Sequence, residues 1–280
     1  MVTKKLRSIN IFLMIIFLLF AISLVSTSTA AETNGKTKNI SSKLEQIKAA
    51  GKIVVGTSAD YPPYEFYLLN DKEGELVGID IDIAKVIAKE LGVKLEIKDL
   101  IFSRIFNALE AGQIDIGIAG LHPTEERRKT AMFSDIYYQA IQTLLIHSKN
   151  SENIKTAEDL RGKRVGVQKD SIQEDLARGR IEGAEFSVRE TIEELVIILE
   201  KGLVDAVIFE KPVSESYVRR NKKLMSVPCK THYDLLGSAI AVKKSNTDLL
   251  NEINRILKKL KKENKIMEFV ENAKILTNKR

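Results

Sequence analysis

Twice along this chain, short β-branched runs alternate with amphipathic helical stretches, and that alternation leaves few folds open. The first series begins with Ile53-Val54-Val55. It continues with Ile83, Val86, Ile87 and Leu91 on one helical face ending at Gly92, then the alternating Val93, Leu95 and Ile97. A helix with Ile105, Ala108 and Leu109 inward is stopped by Gly112, and Ile114, Ile116 and Ile118 read as the next strand. Strand and helix in turn predict an α/β sheet covered by helices on both faces. After an extended run from Gln142 to Ile146 the pattern restarts: a strand at Lys163 to Val167, a capping box at Ser171-Ile172-Gln173-Glu174, and a strand at Phe186 to Val188. A second box at Thr191 to Glu194 opens a helix ending at Gly202, and Val204 to Phe209 is another strand, so two lobes are expected. A strand at Leu236 to Val242 and a helix from Asn246 to Lys262 close the chain, and periodicity assigns them to neither lobe.

Composition narrows the setting. Lys4, Lys5 and Arg7 precede an uncharged run from Ile9 to Val25, with small residues at Ser28 to Ala31. That is the pattern of a secretion signal over residues 1–30, followed by a polar linker over 31–40. The run is long for a signal, so an uncleaved membrane anchor is the competing reading. Removing residues 1–30 takes away three cations and no anion, and the net charge falls from +6 to +3. A weakly positive chain without a basic, aromatic-rich stripe points away from nucleic acid. The single Cys229 excludes an intramolecular disulfide, and with no cysteine directly following the signal there is no lipid-anchor motif. Three scattered histidines without HExxH, and the absence of GxSxG, GxGxxG and GxxxxGK[ST], predict no metal, no cofactor and no catalytic residue.

Ligand chemistry gathers instead at the expected strand exits. The first leads to Ser58, Asp60 and Tyr61, where Pro62-Pro63 is expected to hold the chain extended and Tyr61 to serve as a stacking platform. Asp80 and Asp82 fall in a first helical turn, where balancing the helix dipole is the expected role. Gly117 to Arg127 runs from a strand through Ala119, Gly120 and His122 into a short helix opened by Pro123-Thr124. A cation in that helix's first turn is electrostatically misplaced unless an anion is bound, and an arginine fork with turn amides suits a carboxylate. A surface arginine paired with Glu125 or Asp135 is the alternative. In the second series, Asp170-Ser171-Ile172 heads a helix, and the last strand delivers Glu210 just before Pro212. A guanidinium at one wall and a carboxylate at the other would hold a zwitterion such as an α-amino acid.

Several of these stretches, in their order, resemble the extracellular solute-binding proteins for polar amino acids, the soluble receptors of ABC importers. They are Gly78-Ile79-Asp80-Ile81-Asp82-Ile83, Tyr61 to Phe66, Ala119 through Arg127, Phe133-Ser134-Asp135 with Tyr137-Tyr138, Gly162 to Val167 and Val204-Asp205-Ala206. The resemblance covers about residues 41–275. It implies a type II, periplasmic-binding-protein-like clamshell of two α/β lobes joined by two hinge strands, with residues 41–141 in lobe 1, 142–235 in lobe 2 and 236–280 returning to lobe 1. By position, Arg127 matches the α-carboxylate arginine, helped by the Gly120 and Ile172 amides and the Ser171 hydroxyl. Glu210 matches the acid that takes the α-ammonium, and Tyr61 and Phe102 the aromatics that sandwich the ligand side chain. Ser58 stands where receptors for basic ligands often carry Asp, and His122 where Ser or Thr is usual, so arginine, lysine and glutamine all remain open. The implied partners are an amino acid and a membrane permease, the implied location is periplasmic or otherwise extracytoplasmic, and a monomer is expected. A secreted cyclohexadienyl (prephenate or arogenate) dehydratase resembles the same fold and is the alternative.

Overall fold

A computed structural model of the protein describes residues 42–68, 74–229 and 237–279. The signal or anchor, the linker and Leu236, the expected start of the last strand, fall outside the described residues. Helix α1 (Lys43–Ala50) starts on a capping box in which Ser42 and Glu45 satisfy each other's amides, and it ends on Gly51. Then come β1 (Lys52–Thr57), β2 (Asp60–Tyr61), β3 (Glu65–Leu68), β4 (Glu75–Val77), α2 (Ile79–Leu91), β5 (Lys94–Asp99), α3 (Ile105–Glu110), β6 (Ile116–Gly117), α4 (Glu125–Arg128) and β7 (Ala131–Phe133).

The second half carries β8 (Gln142–His147), β9 (Arg164–Gln168), α5 (Ile172–Arg180), β10 (Glu185–Arg189), α6 (Ile192–Glu200), β11 (Ala206–Glu210), α7 (Lys211–Arg220) and β12 (Leu224–Pro228). The chain closes with β13 (Ala241–Lys243), α8 (Thr247–Lys262) and α9 (Lys265–Thr277).

Two five-stranded sheets share one plan. In the first, β1 pairs in parallel with β5 and β6, and β13 joins β6 to β7 in antiparallel fashion, giving the order β5-β1-β6-β13-β7. In the second, β9 pairs in parallel with β10 and β11, and β8 joins β11 to β12 antiparallel, giving β10-β9-β11-β8-β12. Each sheet thus has four strands running one way and a single antiparallel strand, β13 or β8, in fourth place, and the mixed α/β, two-lobe architecture is the expected one. β2, β3 and β4 form a small antiparallel sheet beside the first lobe.

Where the chain passes between sheets, Tyr138 and Ser238 make an isolated antiparallel bridge, with Ser238 N–H donating to Tyr138 O at 2.8 Å and Tyr137 N–H to Ser238 O at 2.9 Å. β13 returns the chain to the first sheet, the assignment that periodicity left open. Its helix α8 buries Leu249, Ile253, Ile256, Leu257 and Leu260, and its lysines lie on the opposite face. Each such burial contributes about 1.5–3 kcal/mol.

The structure corrects some local expectations. Residues 61–64 make a turn closed by Tyr64 N–H to Tyr61 O at 2.8 Å, not an extended segment, because proline's fixed φ also suits a turn. The capping box at Ser171 is half made. Ser171 Oγ accepts from Glu174 N–H at 3.1 Å, but the Glu174 carboxylate reaches Asp170 N–H instead, at 2.9 Å. Helices α7 and α9 and strand β12 were not anticipated. α7 and α9 mix charged and polar residues into weaker apolar patterns, β12 is only five residues long and ends on proline, and tertiary packing decides them.

Candidate ligand site between the lobes

In both lobes the parallel strands deliver their C-terminal ends to the same cleft, the place where a sheet with reversing strand order leaves a crevice. β1 ends at Ser58 to Tyr61, β6 at Ala119 to His122, β9 at Asp170 and Ser171, and β11 at Glu210. Tyr61, Phe102, Ala119, Gly120, His122, Arg127, Gln168, Ile172 and Gln173 line one narrow cavity of about 10 Å³. That is room for about one water molecule, so an amino acid could enter only if the lobes part.

Arg127 belongs to α4, whose first turn is fixed by Thr124 Oγ accepting from Arg127 N–H at 3.2 Å. Its guanidinium lies 5.5 Å from the Phe102 ring centre and 5.3 Å from that of Phe106. One terminal nitrogen donates to His122 O at 3.0 Å, the other across the cleft to Asp170 O at 2.9 Å. The surface reading fails, because no ion pair to Glu125 or Asp135 forms among the described residues. Burial pushes the guanidinium down to about 10, still a cation at neutral pH.

Glu210 is fully buried. Its Oε2 accepts from the Tyr64 hydroxyl, and its Oε1 lies 2.8 Å from His122 Nε2, at ion-pair distance but off the line of a hydrogen bond. His122 therefore stands between the two charges, its carbonyl on Arg127 and its ring on Glu210.

The helpers assigned to Arg127 are engaged elsewhere. The Gly120 amide donates to Asp80 Oδ2 at 2.8 Å, because a carboxylate buried in α2 must find donors. The Ser171 hydroxyl donates to Gln168 O at 2.7 Å, so its proton is spent at the helix cap. Ile172 holds the first position of α5, where amides have no intrahelical acceptor.

Asp80 is likewise more than a dipole balance. It caps no amide of its own helix, is fully buried, and accepts from Gly120 N–H and from the Tyr137 hydroxyl, the latter at 2.8 Å. Residues 80, 83, 84, 87 and 91 share one helical face, so the periodicity that found the core already put Asp80 in it. Tyr64, absent from the expected site, stacks on Tyr61 with ring centres 5.4 Å apart, and no spacing rule in the sequence separates it from the core aromatics.

Beside the narrow cavity, Ser58, Asp60, Tyr67, Asp99, Ile101, Thr191 and Glu193 are among the residues lining a second one of about 440 Å³. Asp60 accepts from Ser58 Oγ at 3.2 Å and, across the lobes, from Ile192 N–H at 2.8 Å. Burial, then the nearby Glu193 charge, raises its carboxyl to about 7. Burial raises Asp80 to about 6 against the opposing Gly120 and Tyr137 hydrogen bonds. Glu65, fully buried beside Asp80, is pushed well above the usual carboxylate range by burial and then by Asp80.

Raised carboxyl pKa values mean that the folded protein keeps protons the unfolded chain has released. Stability from Asp60 and Asp80 is therefore highest near pH 4 and falls as pH rises to about 7. Melting temperature is expected to drop between pH 5 and pH 8, and Asp60→Asn to flatten the drop. Thermal melts across that range check both, and an equal slope in the variant would contradict the assignment to Asp60.

The model for bacterial extracellular solute-binding proteins, family 3, matches residues 53–272. The arginine-binding extracellular protein ArtP of Bacillus subtilis is 38% identical over 215 residues, covering 75% of this chain and 80% of its own. A Streptococcus pneumoniae amino acid ABC transporter substrate-binding protein, solved bound to L-arginine, superposes with a TM-score of 0.80 at 34% identity, covering 83% of this chain and 98% of that one. An ancestral amino acid-binding protein described as a precursor of cyclohexadienyl dehydratase superposes at 0.75 with 34% identity, over 83% of this chain and 99% of that one. With its two like-built sheets, its cleft at their strand ends and a family match spanning most of its length, this chain belongs to the bacterial extracellular solute-binding proteins, family 3.

Proposed function

We propose that this protein is an extracytoplasmic receptor that binds a polar L-amino acid with a basic side chain, arginine foremost, and delivers it to an ABC importer without chemical turnover. The observation that carries the reading is the placement of Arg127 and Glu210 on opposite lobes, linked through His122, which lines the narrow cavity with Arg127 while Glu210 lies buried behind it. Arg127 would take the ligand carboxylate, with the Ile172 amide beside it, and Glu210 the ammonium. Tyr61 and Phe102 would flank the side chain. Asp60, at the neighbouring acidic cavity, would receive its positive end in place of the acid missing at Ser58. Only the closed arrangement lets one ligand reach both charges, so binding favours closure, and the closed pair of lobes is what a permease would recognise.

The arginine preference rests on charge and on relatives. Asp60, Glu65, Asp80 and Glu210 lie in or under the cleft, and a ligand bringing a side-chain cation offsets more of that burial than a neutral one. ArtP is an arginine-binding protein, and the S. pneumoniae protein was solved with L-arginine bound. The lobes are taken as residues 41–141 with 236–280, and 142–235, with an exported, monomeric protein preceded by a signal or anchor.

A thermal-shift screen across the twenty amino acids tests the reading. Ligand at a hundred times its dissociation constant adds about 2.7 kcal/mol, or about 5–10 °C for a chain of this size. Arginine is expected to give the largest shift, with lysine and glutamine smaller. No shift with any amino acid would overturn the receptor reading. Conversion of prephenate to phenylpyruvate by the same protein would overturn the absence of turnover and favour a dehydratase.

A further inference from the structure

Glu65 stands on β3, opposite Tyr61 in the small antiparallel sheet, and is 0% exposed. Neither of its carboxyl oxygens accepts a hydrogen bond from a protein group. The backbone brings it beside α2, because Asp80 N–H donates to the carbonyl of the preceding residue, Tyr64, at 3.0 Å. Its side-chain neighbour is a second buried carboxyl, that of Asp80. Asp60 on β2 and Glu210 on β11 act on it too, and both are acids; the Tyr137 phenol reaches the same group through Asp80.

An ionised carboxylate sealed from water, without a donor and among acids, is strongly unfavourable. A neutral carboxylic acid has one O–H to give, and Asp80 is the acceptor at hand. Asp80 Oδ2 already takes Gly120 N–H and Oδ1 the Tyr137 hydroxyl, each at 2.8 Å, and each oxygen has a second lone pair left. The two carboxyls then hold one proton between them, since neighbouring like charges disfavour each other in a buried site. Burial pushes Glu65 in the same direction, well above the usual carboxylate range.

We propose that Glu65 is a neutral carboxylic acid at physiological pH, donating its proton to the Asp80 carboxylate, and that this pair positions one wall of the ligand cavity. Gly120 lines that cavity with φ +55°, and its amide is the one Asp80 holds. Tyr137 precedes Tyr138, which bridges to Ser238 where the chain passes between the sheets. One carboxylate with three donors thus ties β3, α2, the Gly120 turn and that crossing together. Glu65 is a positioning residue, and its role is the same whichever amino acid is carried.

Infrared spectroscopy in heavy water near neutral pH, with glutamate labelled by carbon-13 at the side-chain carboxyl, tests it. The wild type is expected to show a label-shifted C=O stretch of a protonated carboxylic acid, which exposed glutamates, ionised at that pH, do not give. Glu65→Gln is expected to lose that band. Its amide N–H replaces the donated proton, so its melting temperature is expected to stay within about 2 °C of the wild type. Glu65→Leu fills a similar volume without a donor and is expected to melt about 5 °C or more lower than Glu65→Gln. A wild type without the band, a Glu65→Gln protein that keeps it, or a leucine variant as stable as the glutamine one would overturn the proposal. If neither variant folds, Glu210→Gln decides, since Glu65 and Glu210 are the fully buried glutamates among the described residues. A band retained in Glu210→Gln assigns it to Glu65, and a band lost there overturns the proposal.

Discussion

Arg127→Ala is expected to bind L-arginine about a hundredfold or more weaker than the wild type, a loss of about 3 kcal/mol or more, the range for removing one partner of a buried charge pair. In the proposed function the guanidinium takes the ligand carboxylate, and it lies over the Phe102 and Phe106 rings. Its two terminal nitrogens already span the cleft between His122 O and Asp170 O. Truncation would leave the carboxylate in a low-dielectric cleft without a counter-charge and would release the contact to the second lobe. Arg127→Lys keeps the charge but loses the planar fork, and an intermediate loss is expected. Titration calorimetry checks both, and near-native affinity in Arg127→Ala would remove the head-group assignment.

The second large effect lies away from the ligand. Gly78 precedes α2 at φ +131°, and a Cβ there would sit 2.1 Å from Tyr64 O, 2.6 Å from its carbonyl carbon and 2.9 Å from Pro63 O. Those two carbonyls also accept the first amides of α2, Asp80 N–H at 3.0 Å and Ile79 N–H at 3.1 Å. The clash is with backbone, so no side chain can swing aside. Gly78→Ala must push α2 off the turn that carries Tyr64 and Tyr61. Strain and overpacking together are expected to cost about 3 kcal/mol or more, a melting temperature lower by about 10 °C. Gly92, at φ +71° with nothing within 4 Å of its virtual Cβ, is the control. Gly92→Ala carries only the left-handed strain, about 1 kcal/mol. Equal melting points for the two variants would contradict the packing argument.

Much of this arrangement could be read along the chain because its signals are local. Helices that begin at Ser42 or Thr191 announce themselves by reciprocal caps, and Gly51 and Gly92 end helices in left-handed geometry. The strand exits followed from the alternation of periods; of the residues expected there, Gly120 and Arg127 line the narrow cavity, Ser58 lines the larger one, and Ser171 and Glu210 line neither. What stayed hidden depends on distant pairing. The Gly120 amide looks free in sequence and is taken by Asp80, 40 residues earlier. Tyr64 reads as one more aromatic until Glu210, 146 residues on, meets its hydroxyl. The β13 strand joins the first sheet by a pairing no period encodes.

The most direct test of the central claim is a crystal structure of the protein with L-arginine. The ligand carboxylate is expected within hydrogen-bond distance of the Arg127 guanidinium and its ammonium on the Glu210 carboxylate, with the two lobes closed around it. Arginine bound in another cavity, or with Arg127 and Glu210 both turned away from its head group, would contradict the account.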